Sequence, residues 1–544
     1  MSVKVEDILN DQQAMESARF QFDSMNQRVA EIVWPECALF LRQDSVQGER
    51  RSEFQFDSTA SLALTRFAAA VESLLTPRTQ RWHGLEPRWE ELANNHSVKL
   101  YCEQVTDILF RARYSPRAGF TYATAETYMS LGAFGNGCMF LDDDIGKDLS
   151  YRSLYVGEVW WGVDYANRQD RVHRKFKLTA HQARTQWGDK LPDHIRRAKD
   201  QQEFEFLHCV KDNRNYDPNR RDYRGMRYSS YYLACEGREI IEEGGYRTMP
   251  YLPSRFLTAP RETYGRGPAN MVLNTLNLIN EQQKTILRAG QHAVHPPLMT
   301  VDDDALESFN MKSGALNRGW LDDNGQPRVV PFQNGANLNL GLEFVQESRV
   351  VINSAFFVDL FQILVEQPQM TATEALLRAQ EKGELLGPTV GRQQSELLSP
   401  MIERELDILS HVPGLMPEMP PELAEAGGFT AVKFTSPLDR MQQAGEGAAM
   451  ARWLEQMTPV IPIKPEVLNG MDWSKWSMRM ADIQGVPQDV RLSEEQTAAN
   501  NEQQASLEQA AQVVQAAPLL GKGAKDLAEA QLLAQSTPSA VGML

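Results

Sequence analysis

Four groups of residues in this chain have the types and spacing that chemistry uses. Gly265 and Gly267 sit just ahead of a helical pattern that starts at Pro268, where backbone N–H groups can cradle a phosphate. A nucleotide-hydrolysing loop needs GxxxxGK[ST], because the lysine must reach the terminal phosphates and the hydroxyl must hold magnesium. Gly265-Arg266-Gly267-Pro268 is followed by neither, so the pair reads as a permissive joint into a proline-started helix. His292 and His295, three apart, could share a helix face as metal ligands. They fall where the helix must end before Pro296-Pro297, and they have no dedicated carboxylate. Asp142–Asp144 and Asp302–Asp304 carry the oxygens magnesium prefers but lack calcium-loop spacing, and solvated turns are the plainer reading. The stretch "RNYDPNRRDYRGMRYSSYY", with Arg214, Arg220, Arg221, Arg224 and Arg227, reads either as a nucleic-acid stacking platform or as the polar tip of a β-hairpin; the hairpin is favoured. GxSxG, HExxH and GxGxxG are absent. The expectation is therefore no catalytic residue, no metal and no cofactor; the enzymatic alternative is a metal-dependent nuclease or hydrolase using an aspartate cluster.

The whole-chain balance narrows this further. At 544 residues, 42% hydrophobic and 24% charged, the chain is ordinary for a soluble globular protein of about two to four domains. No apolar run is long enough to span a bilayer. Five scattered cysteines, never in CxxC spacing, argue for a reducing compartment and against a disulfide framework or zinc knuckle. The net charge of −16 and pI of about 5.2 oppose a tight grip on nucleic acid, since neutralising phosphates supplies most of that affinity. An acidic chain can still let DNA pass.

The elements that must position these residues alternate in type. "DQQAMESARFQFDSMNQRVAEIVWPE" predicts a helix ending before Pro35, and Asp57 to Leu75 another, with Asp57 or Ser58 as N-cap and Thr76-Pro77 as the stop. Short β-branched and aromatic runs predict sheet between about 138 and 260, interrupted by a short helix at "AHQARTQWG". Helix returns at Pro268, which suits a first helical position. From there Asn270, Asn274, Asn277, Glu281, Lys284 and Arg288 recur in steps of three and four, while Val272, Leu276, Ile279 and Ile286 trace an apolar stripe. That predicts one wet and one packed face along roughly 22 residues, about 33 Å of helix. A second helix is expected from about Leu338 to Leu364, with Leu340, Phe344, Val351, Ala355 and Val358 on one side. Between the two, Asn324-Gly325 marks a hairpin. Thr371 and Glu374 form a capping box, which makes Glu366–Met370 a tight loop between helices. Pro388 and Pro400 should kink or break the helix that follows. "HVPGLMPEMPPEL" is a proline-rich link, and the tail from about Ser493 is Gln/Ala-rich.

Several stretches together resemble the head-to-tail connector (portal) family of short-tailed bacteriophages. "FDSTASLALTRFAAAVESLLTPRTQRW" looks like its N-terminal signature. "ETYMSLGAFGNGCMFLDDD" is similar to its glycine-bearing helix-to-strand step, and "ETYGRGPANMVLNTLNLINEQQ" to its Tyr-Gly-Arg-Gly-Pro helix start. "HPPLMTVDDD", "MTATEALLRAQE" and "ELLSPMIERELDIL" follow in the family's order over residues 50 to 440. Arg78 stands where a second proline is common, and His83 where an aromatic is.

The resemblance implies an α+β, mainly helical chain with the phage portal fold of wing, stem, clip and crown. It also implies a ring of about twelve such chains around a central DNA channel, built through heterologous contacts. Carried onto this sequence, the wing is 1–267, helical at first and β-rich from about 138. The first stem helix is 268–291, the clip 292–337, the second stem helix 338–364 and the tunnel loop 365–371. A long wing helix and proline-rich link take 372–435, and the crown and tail 436–544. The implied site is the tunnel loop residues Glu366, Gln367, Pro368, Gln369 and Met370, with the polar stripe Asn270, Asn274, Asn277, Glu281, Lys284 and Arg288 on the stem. The implied function is packaging and ejecting the genome at one capsid vertex of the virion, after assembly in the host cytoplasm. The implied partners are the terminase large subunit, tail adaptor or tail tube proteins, capsid and scaffolding proteins, and double-stranded DNA passing without sequence specificity; no membrane is involved.

Overall fold

The computed structural model describes residues 5–42, 48–93, 95–143, 149–220, 222–300, 310, 312, 314–318, 320–321, 324–332, 338–358, 387, 389–428, 430–435, 447, 449–459, 473–484, 486 and 491. Two compact units divide the chain. The larger comprises Met1–Gly84, Val105–Pro417 and Val432–Glu455, and the smaller Leu85–Gln104, Glu418–Ala431 and Gln456–Leu544.

The larger unit opens with α1 (Val5–Val33), which stops just ahead of Trp34 and Pro35, and α2 (Thr59–Leu75). Asp57 starts α2: its Oδ1 accepts the Thr59 N–H at 2.8 Å, satisfying a donor the helix leaves unpaired. Along the chain, strand β1 (His83–Pro87) and α3 (His96–Arg113) follow, with Leu85–Gln104 assigned to the smaller unit, and α4 (Phe120–Phe134) then belongs to the larger. Buried Leu64 and Phe67 of α2 pack on α4 where Gly132 has no side chain; a Cβ there would lie 2.6 Å from the Phe67 ring. Small residues at that crossing let the two helices approach closely.

The region expected to be sheet forms two. Strands β2 (Asn136–Asp143) and β3 (Leu149–Ser153) belong to the smaller one. An antiparallel meander of β4 (Val159–Val163), β5 (Gln169–Thr179), β6 (Glu203–Asp212), β7 (Tyr228–Ala234) and β8 (Glu239–Tyr246) follows, and β9 (Tyr251–Arg255) then returns to pair with β2, giving the order β3-β2-β9. Met139 of β2 lies opposite both Ser153 and Leu252. Between β5 and β6 lie α5 (Ala180–Trp187) and α6 (Asp193–Arg196). A Thr179–Gln182 capping box starts α5, which is the helix expected at "AHQARTQWG".

Central strand β6 is buried on both faces. Val210 joins Phe140, Trp161, Val172 and Tyr251 in a core shared with the smaller sheet. Phe206 packs with Trp187 of α5, while Leu207 and Cys209 lie under Ile8 of α1. α1 is held there by Arg19, whose guanidinium donates to the Val156, Val159 and Gly157 carbonyls and lies 4.2 Å from the Trp160 ring centroid.

After β9 come α7 (Pro268–Met271) and α8 (Leu273–Val294), then β10 (Leu298–Thr300) paired antiparallel with β11 (Val329–Pro331), then α9 (Leu338–Ala355). The helix expected to run unbroken from Pro268 is interrupted at Val272 (φ −108°, ψ 20°) and continues to Val294. The Asn324-Gly325 turn is present, with Gly325 at φ 76° and Leu321 bridged to Pro327. Pro400 enters α10 (Ser399–Ser410) directly after a π-helical turn, Gln394–Leu398. Proline has no N–H for the carbonyl four residues back, and the widened turn absorbs that loss. The smaller unit contains α11 (Pro421–Glu425), with β12 (Thr430–Phe434) beginning after it. In its α12 (Trp473–Gln484), Trp473 and Trp476 meet edge to face with centroids 5.8 Å apart.

Candidate functional site

The glycines at 265 and 267 are the hinge of the site and leave no room for an anion. The Gly265 N–H donates to Asn136 Oδ1 at 2.7 Å, the Arg266 N–H to the Leu257 carbonyl at 2.7 Å and the Gly267 N–H to Asn270 Oδ1 at 2.8 Å. The three successive N–H groups of the glycine stretch are thus already used. The reason for glycine is close approach: Gly135 ends α4 in the left-handed conformation at φ 70°. A Cβ on Gly267 would lie 2.6 Å from Gly135 N and 2.7 Å from the Leu131 carbonyl oxygen, and one on Gly265 would lie 2.4 Å from the Gly135 carbonyl oxygen. Three glycines from two distant stretches of the chain thus press backbone on backbone and fix where α7 and α8 begin.

From that joint, α8 and α9 run side by side in opposite directions. Ser348 Oγ reaches Gln282 Oε1 at 3.4 Å, while Gly341 sits against Ile286, where a Cβ would be 3.3 Å from Cγ1. Leu276 and Ile279 of α8 and Val345 and Ile352 of α9 are buried. Two polar devices tie the pair to the segment before α2. Buried Asn280 accepts the Phe56 N–H at 2.7 Å and donates to the Phe54 carbonyl. Asp57 Oδ2 accepts from Arg349 at 2.8 Å and from Gln283 at 3.4 Å. Burial alone would push the Asp57 carboxyl up, but the hydrogen bonds from Thr59 and Arg349 and the Arg349 charge outweigh it and hold the group below the ordinary carboxylate range. The sequence offered Asp57 or Ser58 as the cap; Ser58 holds the N-cap position while Asp57 supplies the bond, and no local pattern links residue 57 to residue 349.

Of the expected polar stripe, Asn274, Asn277, Glu281 and Arg288 are exposed. Lys284 is half-buried, 3.3 Å from Glu281 and over the Phe56 ring. Asn270 belongs to the joint: besides Gly267 it reaches Asn26 at 3.5 Å. Glu366, Gln367, Pro368, Gln369 and Met370 lie outside the described residues, as do Asp144, Arg221, Thr371, Glu374, Pro388 and Asp302–Asp304. Of the apolar residues expected on one side of the second helix, Val358 is buried and Ala355 partly so. Leu340, Phe344 and Val351 are exposed, while Val345, Ser348 and Ile352 face inward. Apolar residues surround this helix, so its periodicity does not single out one face, and the Asp57–Arg349 and Ser348–Gln282 contacts set the rotation. Leu278 and Leu287 on α8 and Leu342, Phe344 and Val350 on α9 are all about half exposed, between 50 and 55%.

Of the other chemical candidates, Asp142 has a structural partner. Asp142 Oδ1 accepts from Arg404 at 3.0 Å; burial raises its carboxyl above the ordinary range despite that charge. His292 is exposed on α8 and His295 follows the helix end, and among the described residues no group of three metal-ligating side chains occurs. One arrangement that sequence reading missed looks catalytic. Cys209 Sγ is 3.0 Å from His173 Nε2, and His173 Nδ1 is 3.0 Å from Gln12 Oε1. Both the cysteine and the histidine are wholly buried, however. Burial pushes the thiol up to about 12, and burial with the Lys211 and Arg171 charges pulls the imidazole down to about 3. A nucleophilic dyad needs the opposite shifts; this chain of contacts fastens α1 to the meander.

His83 fills an aromatic position: its buried ring stacks on Phe110 with centroids 4.8 Å apart. Burial, reinforced by the Arg113 charge, holds it neutral. Arg78 is on the surface, paired with Glu72 at 2.8 Å. Arg113 itself makes a fully buried two-pronged contact with Glu405 of α10, at 2.9 Å from Nε and 2.5 Å from Nη2, and Tyr151 donates to the same carboxylate.

The glycine joint and the antiparallel helix pair it carries belong to an α+β chain. The chain belongs to the bacteriophage head to tail connecting protein family, whose model matches residues 6–491. It is 28% identical over 513 residues to the probable portal protein of Bordetella phage BPP-1, covering 92% of this chain and 90% of that one. To the portal protein of Salmonella phage epsilon15 it is 24% identical over 542 residues, covering 97% and 95%. Among solved structures, a chain in the neck of an empty gene transfer agent particle matches at 12% identity and a TM-score of 0.35, covering 80% of this chain and 98% of that one. No helix among the described residues is long and apolar enough to cross a membrane.

Proposed function

We propose that this chain is the portal, or head-to-tail connector, subunit of a phage: one member of a closed ring at a capsid vertex of the virion, through which double-stranded DNA is packaged and ejected. Residues 268–291 and 338–364 are the two stem helices and 292–337 the clip. The wing is 1–267 with 372–435, Glu366–Met370 is the tunnel loop, and 436–544 is the crown and tail. Partners are the terminase large subunit during packaging, tail adaptor or tail tube proteins afterwards, and capsid and scaffolding proteins around the ring.

The observation that carries this is the state of the helix pair. Polar anchors hold α8 and α9 to the rest of their unit, yet eight large apolar side chains on them remain exposed. Each stands to gain roughly 1 kcal/mol when covered. A second copy is the fitting cover, since a ring needs two unlike surfaces on every subunit. The charge of −16 per chain then surrounds the DNA with like charge and prevents adhesive phosphate contacts.

Sedimentation and negative-stain imaging of the full chain test the ring, with L278D/F344D as the interface variant. Native protein should form closed rings, and the variant should keep its fold while remaining monomeric. A native chain that stays monomeric at high concentration in several salts, with and without scaffolding protein, overturns the reading. Deleting Glu366–Met370 should leave rings that assemble but package or retain DNA poorly; normal packaging would show that the channel loop is elsewhere.

A further inference from the structure

The arginine-rich stretch is absorbed by nothing above. It forms the connection between β6 and β7, a tip of about 15 residues where most hairpin loops have two to five. Loops this long are usually either functional or disordered, and this one is knit together. The Asn213 side chain donates to the Arg224 and Met226 carbonyls at 3.0 and 2.9 Å and accepts the Asn215 N–H at 3.0 Å. The Asn213 N–H donates to the Arg227 carbonyl at 2.8 Å. Gly225 passes so near the Arg220 carbonyl that a Cβ would be 2.0 Å from its oxygen.

The tip's acids are largely used within it. Asp222 is held by Arg220 in a two-pronged pair at 3.1 and 2.8 Å, and Asp217 Oδ1 accepts the Asn219 N–H at 3.1 Å. That leaves Arg214, Arg224 and Arg227 exposed; among the described residues no carboxylate lies in ion-pair distance of them, and the Asp222 and Glu243 charges reach Arg224, and the Asp212 charge Arg227, only from farther off. Arg224 and Arg227 lie over the rings of Tyr223 and Tyr228, at 5.6 and 5.5 Å. Stacking holds a guanidinium flat and leaves its edge donors for a planar two-pronged partner such as phosphate. In a chain of 56 basic and 72 acidic residues, the span from Lys211 to Tyr228 holds six basic and three acidic ones.

We propose that this hairpin tip is a contact site for the phosphate backbone of double-stranded DNA, independent of base sequence, in a protein whose remaining charge repels DNA. An acidic protein is the poorer fit, because protein interfaces form around an apolar centre and Tyr216 is the one large apolar side chain more than half exposed on the tip among the described residues.

The test is fluorescence anisotropy of the full chain with a labelled duplex of mixed sequence, comparing native protein with R214A/R224A/R227A. Three phosphate contacts give a salt slope near −2.7, so native affinity should fall about 40-fold between 50 and 200 mM salt. The triple variant should bind much more weakly at the lower salt and lose most of that slope, while R214K/R224K/R227K retains it, with melting temperature and sedimentation unchanged in both. Native protein that binds no duplex at 50 mM salt overturns the proposal, as does a triple variant with native affinity and slope. Poly-glutamate competing charge for charge as well as DNA also overturns it, in favour of an acidic polypeptide. The reading concerns affinity per chain and stands or falls apart from ring formation.

Discussion

Replacing Gly267 by alanine adds a single methyl group at the joint between α4 and the helix pair. The native backbone there, φ −94° and ψ 174°, is one that alanine adopts without strain, so the whole effect is steric. The new Cβ would lie 2.6 Å from Gly135 N, 2.7 Å from the Leu131 oxygen and 2.9 Å from the Gly132 oxygen. All three are backbone atoms of the last turn of α4, which cannot rotate aside as a side chain would. Overpacking of this kind costs about 1–3 kcal/mol, and the upper end applies where only backbone can yield. Gly290 is the matched control: it lies inside α8, and a Cβ there meets no atom within 4 Å. Alanine at 290 should stabilise by about 0.5–1 kcal/mol, because glycine loses more freedom on entering a helix. One chemical change is thus predicted to act with opposite sign at two sites 23 residues apart. Urea unfolding followed by far-ultraviolet circular dichroism, at one protein concentration, reads both. Sedimentation should also show Gly267→Ala assembling poorly, because the displaced joint re-aims α8. Equal stability of Gly267→Ala and native protein would refute the close-approach argument. A rise in native melting temperature with inorganic phosphate that is lost in Gly267→Ala would restore the anion cradle instead.

Three further outcomes follow from the buried polar contacts. Glu405→Ala leaves the Arg113 charge buried without its partner and should cost about 3–5 kcal/mol in urea, whereas R113M/E405L should recover most of that loss. Asp57, held below its ordinary value of 3.8, contributes stability that is complete above that value and is lost as pH falls through the lower folded one. Native protein should therefore lose more stability than Asp57→Asn in a titration from pH 6 to pH 3. With Arg349 partly exposed, the difference is about 1 kcal/mol. Cys138 and Cys209, buried and with thiols pushed up to about 12, should resist iodoacetamide at pH 8 until the chain unfolds, as peptide mass spectrometry would show; fast labelling of Cys209 in folded protein would revive the dyad.

The sequence by itself determined most of the elements, because their signals are local. Pro35 and Thr76-Pro77 stop α1 and α2, Thr179 and Gln182 cap α5, Pro268 opens α7 and Asn324-Gly325 makes the turn before β11. It also supplied the ordered motifs that carry the family. Tertiary structure decided what those elements are fastened to. Gly267 is recognisable as a joint, but the reason it must be glycine is Gly135, more than a hundred residues earlier. Asp57 is legible as a cap, while its bond to Arg349 spans 292 residues, the same separation as Arg113 to Glu405. The rotation of α9 was not legible either, since apolar residues lie all around it. Periodicity records which faces a helix has; which face is covered depends on partners that the chain brings in from far away.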